Sequence, residues 1–104
     1  MGKPQLALPT GKIAVFCRNW RLREFSIFGS ALREDFGPDN DIDVLVTFDN
    51  DARHTLFDLA RMEEELRDIL GRTVDIISRR GIEASQNDKR KKAILSSAKT
   101  VYVA

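Results

Sequence analysis

Three aspartates, a glycine and a serine stand in this sequence at separations that suit phosphate and metal chemistry. Gly29-Ser30 is followed, after ten residues, by Asp41-Ile42-Asp43 within the stretch GSALREDFGPDNDID. If DIDVLVTF, residues 41–48, is a strand, Asp41 and Asp43 point to one side with Cα atoms roughly 7 Å apart. Two unit charges about 4 Å apart repel by roughly 1 to 4 kcal/mol between bulk water and a protein surface, so converging carboxylates call for protons, a cation or separation. A divalent metal answers that need, and hard oxygen ligands favour Mg²⁺, which commonly takes one or two carboxylates together with substrate phosphates. The alternative is a solvated strand start, where acidic pairs are common.

Asp75 adds a third carboxylate. It lies between Val74 and Ile76 in the short apolar run TVDII, where burial without a partner would be costly. If strand 73–77 lies beside strand 41–48, Asp75 joins Asp41 and Asp43 in a site able to hold two metal ions about 4 Å apart. An edge strand with Asp75 facing water is the competing arrangement. At the other end of the stretch, Gly29 lets the backbone approach a ligand, and Ser30 with the amides after it opens a helix N-terminus that could cradle phosphate. Ser is also simply a good helix cap. Together the two ends describe a triphosphate held at Gly29-Ser30 and presented to metal held by the aspartates.

Hydrophobic periodicity predicts the helices and strands that carry these residues. KIAVFCRNW, residues 12–20, carries Ile13, Phe16, Cys17 and Trp20 at helical spacing. EFSIF, residues 24–28, alternates and runs into Gly29 as a strand into a turn. ALRED reads as a short helix capped by Ser30 and stopped by Gly37-Pro38. In the 41–48 strand, Ile42, Val44, Val46 and Phe48 share one face, while Asp41, Asp43, Leu45 and Thr47 share the other. Apolar residues at 56, 59, 62, 66, 69 and 70 predict an amphipathic helix ended by Gly71. A strand over 73–77, a helix near 87–97 and a last strand, TVYV, complete an αβαβαβαβ order. The expected class is α/β (α+β), one mixed sheet backed by helices. Residues 1–11 read as a loose leader and residues 12–104 as the domain.

At 104 residues the chain is expected to form one domain with a modest core. The net charge of +1 argues against nonspecific nucleic-acid binding as the main task. Cys17 is the only cysteine, so no internal disulfide forms, and a free thiol suits a reducing cytoplasm. No run of the sequence has membrane-spanning length, and the N-terminal segment has no signal-peptide character.

With these residues in view, the sequence resembles the DNA polymerase β-like nucleotidyltransferase superfamily. Its signature is Gly-Ser, ten residues, then Asp-x-Asp, matched here by Gly29, Ser30, Asp41 and Asp43. FGSALREDFGPDNDIDVLVTF, followed by EEELRDILGRTVDII, is similar in particular to the minimal nucleotidyltransferase (MNT) antitoxins, and the resemblance runs over residues 12–103. It implies that the Gly29-Ser30 turn binds the triphosphate, that Asp41 and Asp43 bind Mg²⁺, and that Asp75 is the third carboxylate, aiding the acceptor hydroxyl. Many relatives have Ala-Arg-Gly where this chain has Leu32-Arg33-Glu34, so Arg33 carries over as a nucleotide-binding residue while Glu34 departs from the glycine. Asn40 replaces a frequent serine. The resemblance further implies transfer of AMP from ATP to a tyrosine of a HEPN-domain ribonuclease toxin. A non-catalytic antitoxin acting by contact, and a small-molecule transferase such as one modifying an antibiotic, are the alternatives.

The remaining candidates read as structural. DKRKK, residues 88–92, and Arg79-Arg80 fit a solvated face. His54 reads as exposed and uninvolved, Trp20 and Tyr102 as core or interface residues, and Leu59, Met62 and Leu66 as a core stripe.

Overall fold

The computed structural model describes residues 8–29 and 41–104. Helix α1 spans Thr10–Asn19, strand β1 Leu22–Phe28, strand β2 Ile42–Phe48 and helix α2 Leu56–Leu70. Strand β3 spans Val74–Ser78, helix α3 Arg79–Glu83, helix α4 Asp88–Ser97 and strand β4 Lys99–Val103. The helix expected over ALRED lies outside the described residues.

The strands form one sheet in the order β3-β2-β1-β4. β1 runs antiparallel to β2 and β4, whereas β2 and β3, joined through α2, run parallel. Alternation along β2 sends its side chains to two different cores. Ile42, Val44 and Val46 join Phe25, Ile27, Val74 and Ile76 beneath α1 and α2, which contribute Ile13, Phe16, Cys17, Met62 and Leu66. Leu45, on the opposite face, packs with Phe28, Ile82 of α3 and Ile94 of α4. The sheet is therefore sandwiched between α1/α2 and α3/α4, and the aspartate-bearing face is the one that α3 and α4 only partly cover. Both helices dock there through one buried isoleucine each.

Local chemistry sets the boundaries. Thr55 and Asp58 form a reciprocal capping box at the start of α2, with Thr55 N–H donating to Asp58 Oδ2 at 2.9 Å and Asp58 N–H to Thr55 Oγ1 at 3.2 Å. Gly71 ends α2 at φ 69°, as its position after the apolar run predicted. The α2 stripe begins at Leu59 and not at Leu56: Leu56 stands in the first turn and is 83% exposed. β1 starts at Leu22, two residues before the expected strand, because Arg21 takes φ 59° and turns the chain without a glycine. α1 likewise starts at Thr10, ahead of the expected Lys12. Helix α3 follows β3 directly, without an apolar stripe in the sequence to mark it; Ser78 caps it by accepting from Gly81 N–H at 3.0 Å. β3 is an edge strand, and Glu63 of α2 reaches over to accept the Ile76 N–H at 2.9 Å, satisfying a part-buried donor that the sheet leaves open.

Cys17 is fully buried, and burial pushes its thiol up from 9.0 to about 12, against a smaller lowering by the Arg18 charge. The thiolate is the reactive form, so the folded protein should resist iodoacetamide at pH 8 and react once unfolded in guanidinium. Rapid alkylation under native conditions, followed by mass spectrometry, would contradict this packing. Among the described residues no helix is long and apolar enough to cross a membrane.

Candidate active site

The register of the sheet brings three of the sequence candidates, Gly29, Asp43 and Asp75, together. Asp43 pairs across β1 with Phe28, the residue before Gly29, and across β3 with Asp75. Neighbouring strands lie about 4.8 Å apart and side chains at paired positions share a face, so Asp43 and Asp75 stand side by side, on the side of Leu45. Asp41 immediately precedes β2 and is exposed. Ser30 and Arg33 lie outside the described residues.

Gly29 is tied to Asp43 by space as well as by backbone. Its φ of 69° favours glycine, and a Cβ built there would lie 2.6 Å from Asp43 Oδ2 and 3.5 Å from Cγ. The carboxylate rests in the volume that a side chain at position 29 would fill. The turn after β1 thus brings open backbone against the first β2 carboxylate, where a phosphate could approach both.

Phe28, Gly29, Asp43, Asp75 and Ile77 form one wall of a cleft of about 280 Å³, and Arg90, Ala93, Ile94 and Ser97 of α4 form the other. Arg90 comes from the DKRKK run that read as a solvated face. Its spacing from Ile94 and Ser97 places it on the docked side of α4, and that periodicity is the signal by which it could have been found. Asp75 is exposed and β3 is an edge strand, so the cost of burying this carboxylate is not what marks it. Its register with Asp43 does.

Among the described residues no group of three or more His, Cys, Asp or Glu side chains is gathered so as to hold a metal ion, and the expected three-carboxylate, two-ion cage is not assembled there. Two in-register carboxylates beside an open cleft nevertheless fit Mg²⁺ in its usual nucleotide-bound form, in which phosphate oxygens and water complete the shell. His54 departs from expectation too. It is partly buried, with its ring stacked on Phe48 at 3.8 Å and 11°.

The nucleotidyltransferase domain model matches residues 12–101. A Methanocaldococcus jannaschii protein that carries the name of a protein adenylyltransferase is 35% identical over 68 residues, 65% of this chain and 71% of that protein. A solved structure described as a minimal nucleotidyltransferase superposes with a TM-score of 0.65 at 31% identity, covering 86% of each chain. A toxin–antitoxin structure with AMP-PNP gives a TM-score of 0.71 at 17% identity, over 93% of this chain and 75% of that one. A complex of a tri-AMPylated Shewanella oneidensis HEPN toxin with its MNT antitoxin gives 0.61 at 16% identity, over 91% and 70%. At such identities the last two show a shared fold.

Proposed function

We propose that this chain, which belongs to the nucleotidyltransferase domain family, transfers AMP from ATP to a tyrosine hydroxyl of a HEPN-domain ribonuclease toxin and so acts as its antitoxin in the cytoplasm. The observation that carries this reading is the convergence of Gly29, Asp43 and Asp75 at one end of the cleft. The names of the adenylyltransferase relative and of the AMPylated toxin complex support the nucleotide and the acceptor.

In this reading the Gly29 turn, with Ser30 and Arg33, receives the triphosphate, and Asp41 and Asp43 hold Mg²⁺ against it. Mg²⁺, when bound, supplies positive charge to the phosphate under attack. Asp75 accepts the proton of the tyrosine hydroxyl as its oxygen bonds to the α-phosphorus and the bond to pyrophosphate breaks. The open cleft leaves the acceptor side to be completed by the partner protein.

Labelled ATP separates this chemistry from phosphorylation or simple binding. Label at the α-phosphate should appear on the cognate toxin, and label at the γ-phosphate should leave as pyrophosphate; transfer of γ-label would overturn the proposal. Asp75→Asn should lower turnover roughly 10²-fold while Mg-ATP affinity stays within a few-fold. Unchanged turnover would place Asp75 outside the reaction.

A further inference from the structure

The cleft contains two aspartates on its sheet side and one cation among its described lining residues, Arg90. Three features fix what Arg90 can do. Its backbone is held in place, since the Asn87 side chain accepts the Arg90 N–H at 3.1 Å and caps α4. The helix carrying it is anchored one turn further on by Ile94, packed against Phe28 and Leu45, so the position of Arg90 relative to Gly29 and Asp43 is set by the core. Its guanidinium makes no hydrogen bond or ion pair with any described residue, whereas Lys91 beside it is engaged with the Glu83 carbonyl at 3.2 Å and with Asp88 at 3.9 Å. A guanidinium on a fixed backbone, unengaged by any described residue and lining the cleft that also holds two carboxylates, is a site for an anion that the carboxylates alone would repel.

We infer that Arg90 binds the β- and γ-phosphates of the nucleotide, and hence the pyrophosphate that leaves, from the α4 side of the cleft. Charge favours such a group in addition to the Ser30 and Arg33 already assigned to the triphosphate. A nucleoside triphosphate with one divalent cation remains negative, and Asp43 and Asp75 add two further negative charges at the same place. A fork of donors opposite them matches phosphate oxygens in charge and in geometry. The group discriminates by phosphate number: a ligand that ends at the α-phosphate does not reach it. This inference rests on the proposed nucleotidyl transfer.

The test compares Mg-ATP, Mg-AMP and Mg-pyrophosphate binding by calorimetry in wild type, Arg90→Ala and Arg90→Lys. Arg90→Ala should weaken ATP and pyrophosphate about 10- to 100-fold, corresponding to a charge-assisted hydrogen bond, and leave AMP unchanged. Arg90→Lys should recover part of the loss. Because Arg90 is exposed and the Asn87 cap uses its backbone, the thermal midpoint should not move. Equal ATP affinity in wild type and Arg90→Ala would overturn the assignment, as would an equal loss for ATP and AMP. A raised KM for the protein acceptor at unchanged ATP affinity would also overturn it, and would give the arginine to the acceptor. A wild type that binds no Mg-ATP would instead remove the nucleotidyl-transfer reading itself.

Discussion

Gly29→Ala is expected to lower AMP transfer by about 10³-fold, the combined cost of a displaced carboxylate and an obstructed phosphate approach. The residue stands at φ 69°, where an L side chain costs about 1 to 2 kcal/mol. Its new Cβ would fall 2.6 Å from Asp43 Oδ2, well inside contact distance, so the carboxylate must swing away or the turn must open. Either movement separates the two parts of the site. The thermal midpoint should drop by roughly 4 to 8 °C per kcal/mol lost, which still leaves a folded population for assay. Circular dichroism melts beside a transfer assay would check both effects. Transfer within a few-fold of wild type would mean that Asp43 does not act from the position it holds here.

Asp43→Asn is expected to lower transfer by about 10³-fold for a different reason and with little change in stability. It keeps the shape of the side chain and its place beside Gly29 while removing the charge that would hold Mg²⁺. In the folded protein it also removes one of the two like charges at the paired positions of Asp43 and Asp75. Stability should therefore stay within about 1 kcal/mol of wild type. A large fall in the thermal midpoint would assign Asp43 a structural role, and retained transfer would remove it from the metal site. The double variant Asp41→Asn with Asp43→Asn should abolish transfer.

Much of this arrangement could be read from residue order, and the parts that could not share a cause. Alternation in 41–48 and the 3.6-residue stripe of α2 are local patterns, and the structure places both where the sequence predicted them. The mixed sheet followed from the same signals. Helix α3 escaped because RRGIE offers one apolar residue, Ile82, and an internal Gly81, too little for periodicity to register. The early start of β1 escaped because Arg21 makes a left-handed turn with no glycine to announce it. Spacing puts Leu56 on the apolar face, but it stands in the first turn of α2 and is 83% exposed.

Within the candidate site, the pairing of Asp43 with Asp75 was conditional on one strand lying beside another, and register is a property of the assembled sheet. The contact between Gly29 and Asp43 and the arrival of Arg90 opposite them depend on three or more elements packing together. No local pattern encodes such a meeting. The charge run containing Arg90 conceals a docked face because most of its residues are exposed, and only its spacing from the buried Ile94 betrays which side turns inward.

In the proposed function the carboxylates at this cleft support transfer of AMP to a protein partner. Intact-mass spectrometry of the cognate HEPN toxin, separated after incubation with this protein, Mg²⁺ and ATP, tests it most directly. The toxin should gain mass in whole AMP units on tyrosine, remain unable to cleave RNA after the antitoxin is removed, and gain nothing when Asp43→Asn replaces wild type. A toxin of unchanged mass that is inhibited only while bound would contradict the account and leave an antitoxin that works by contact.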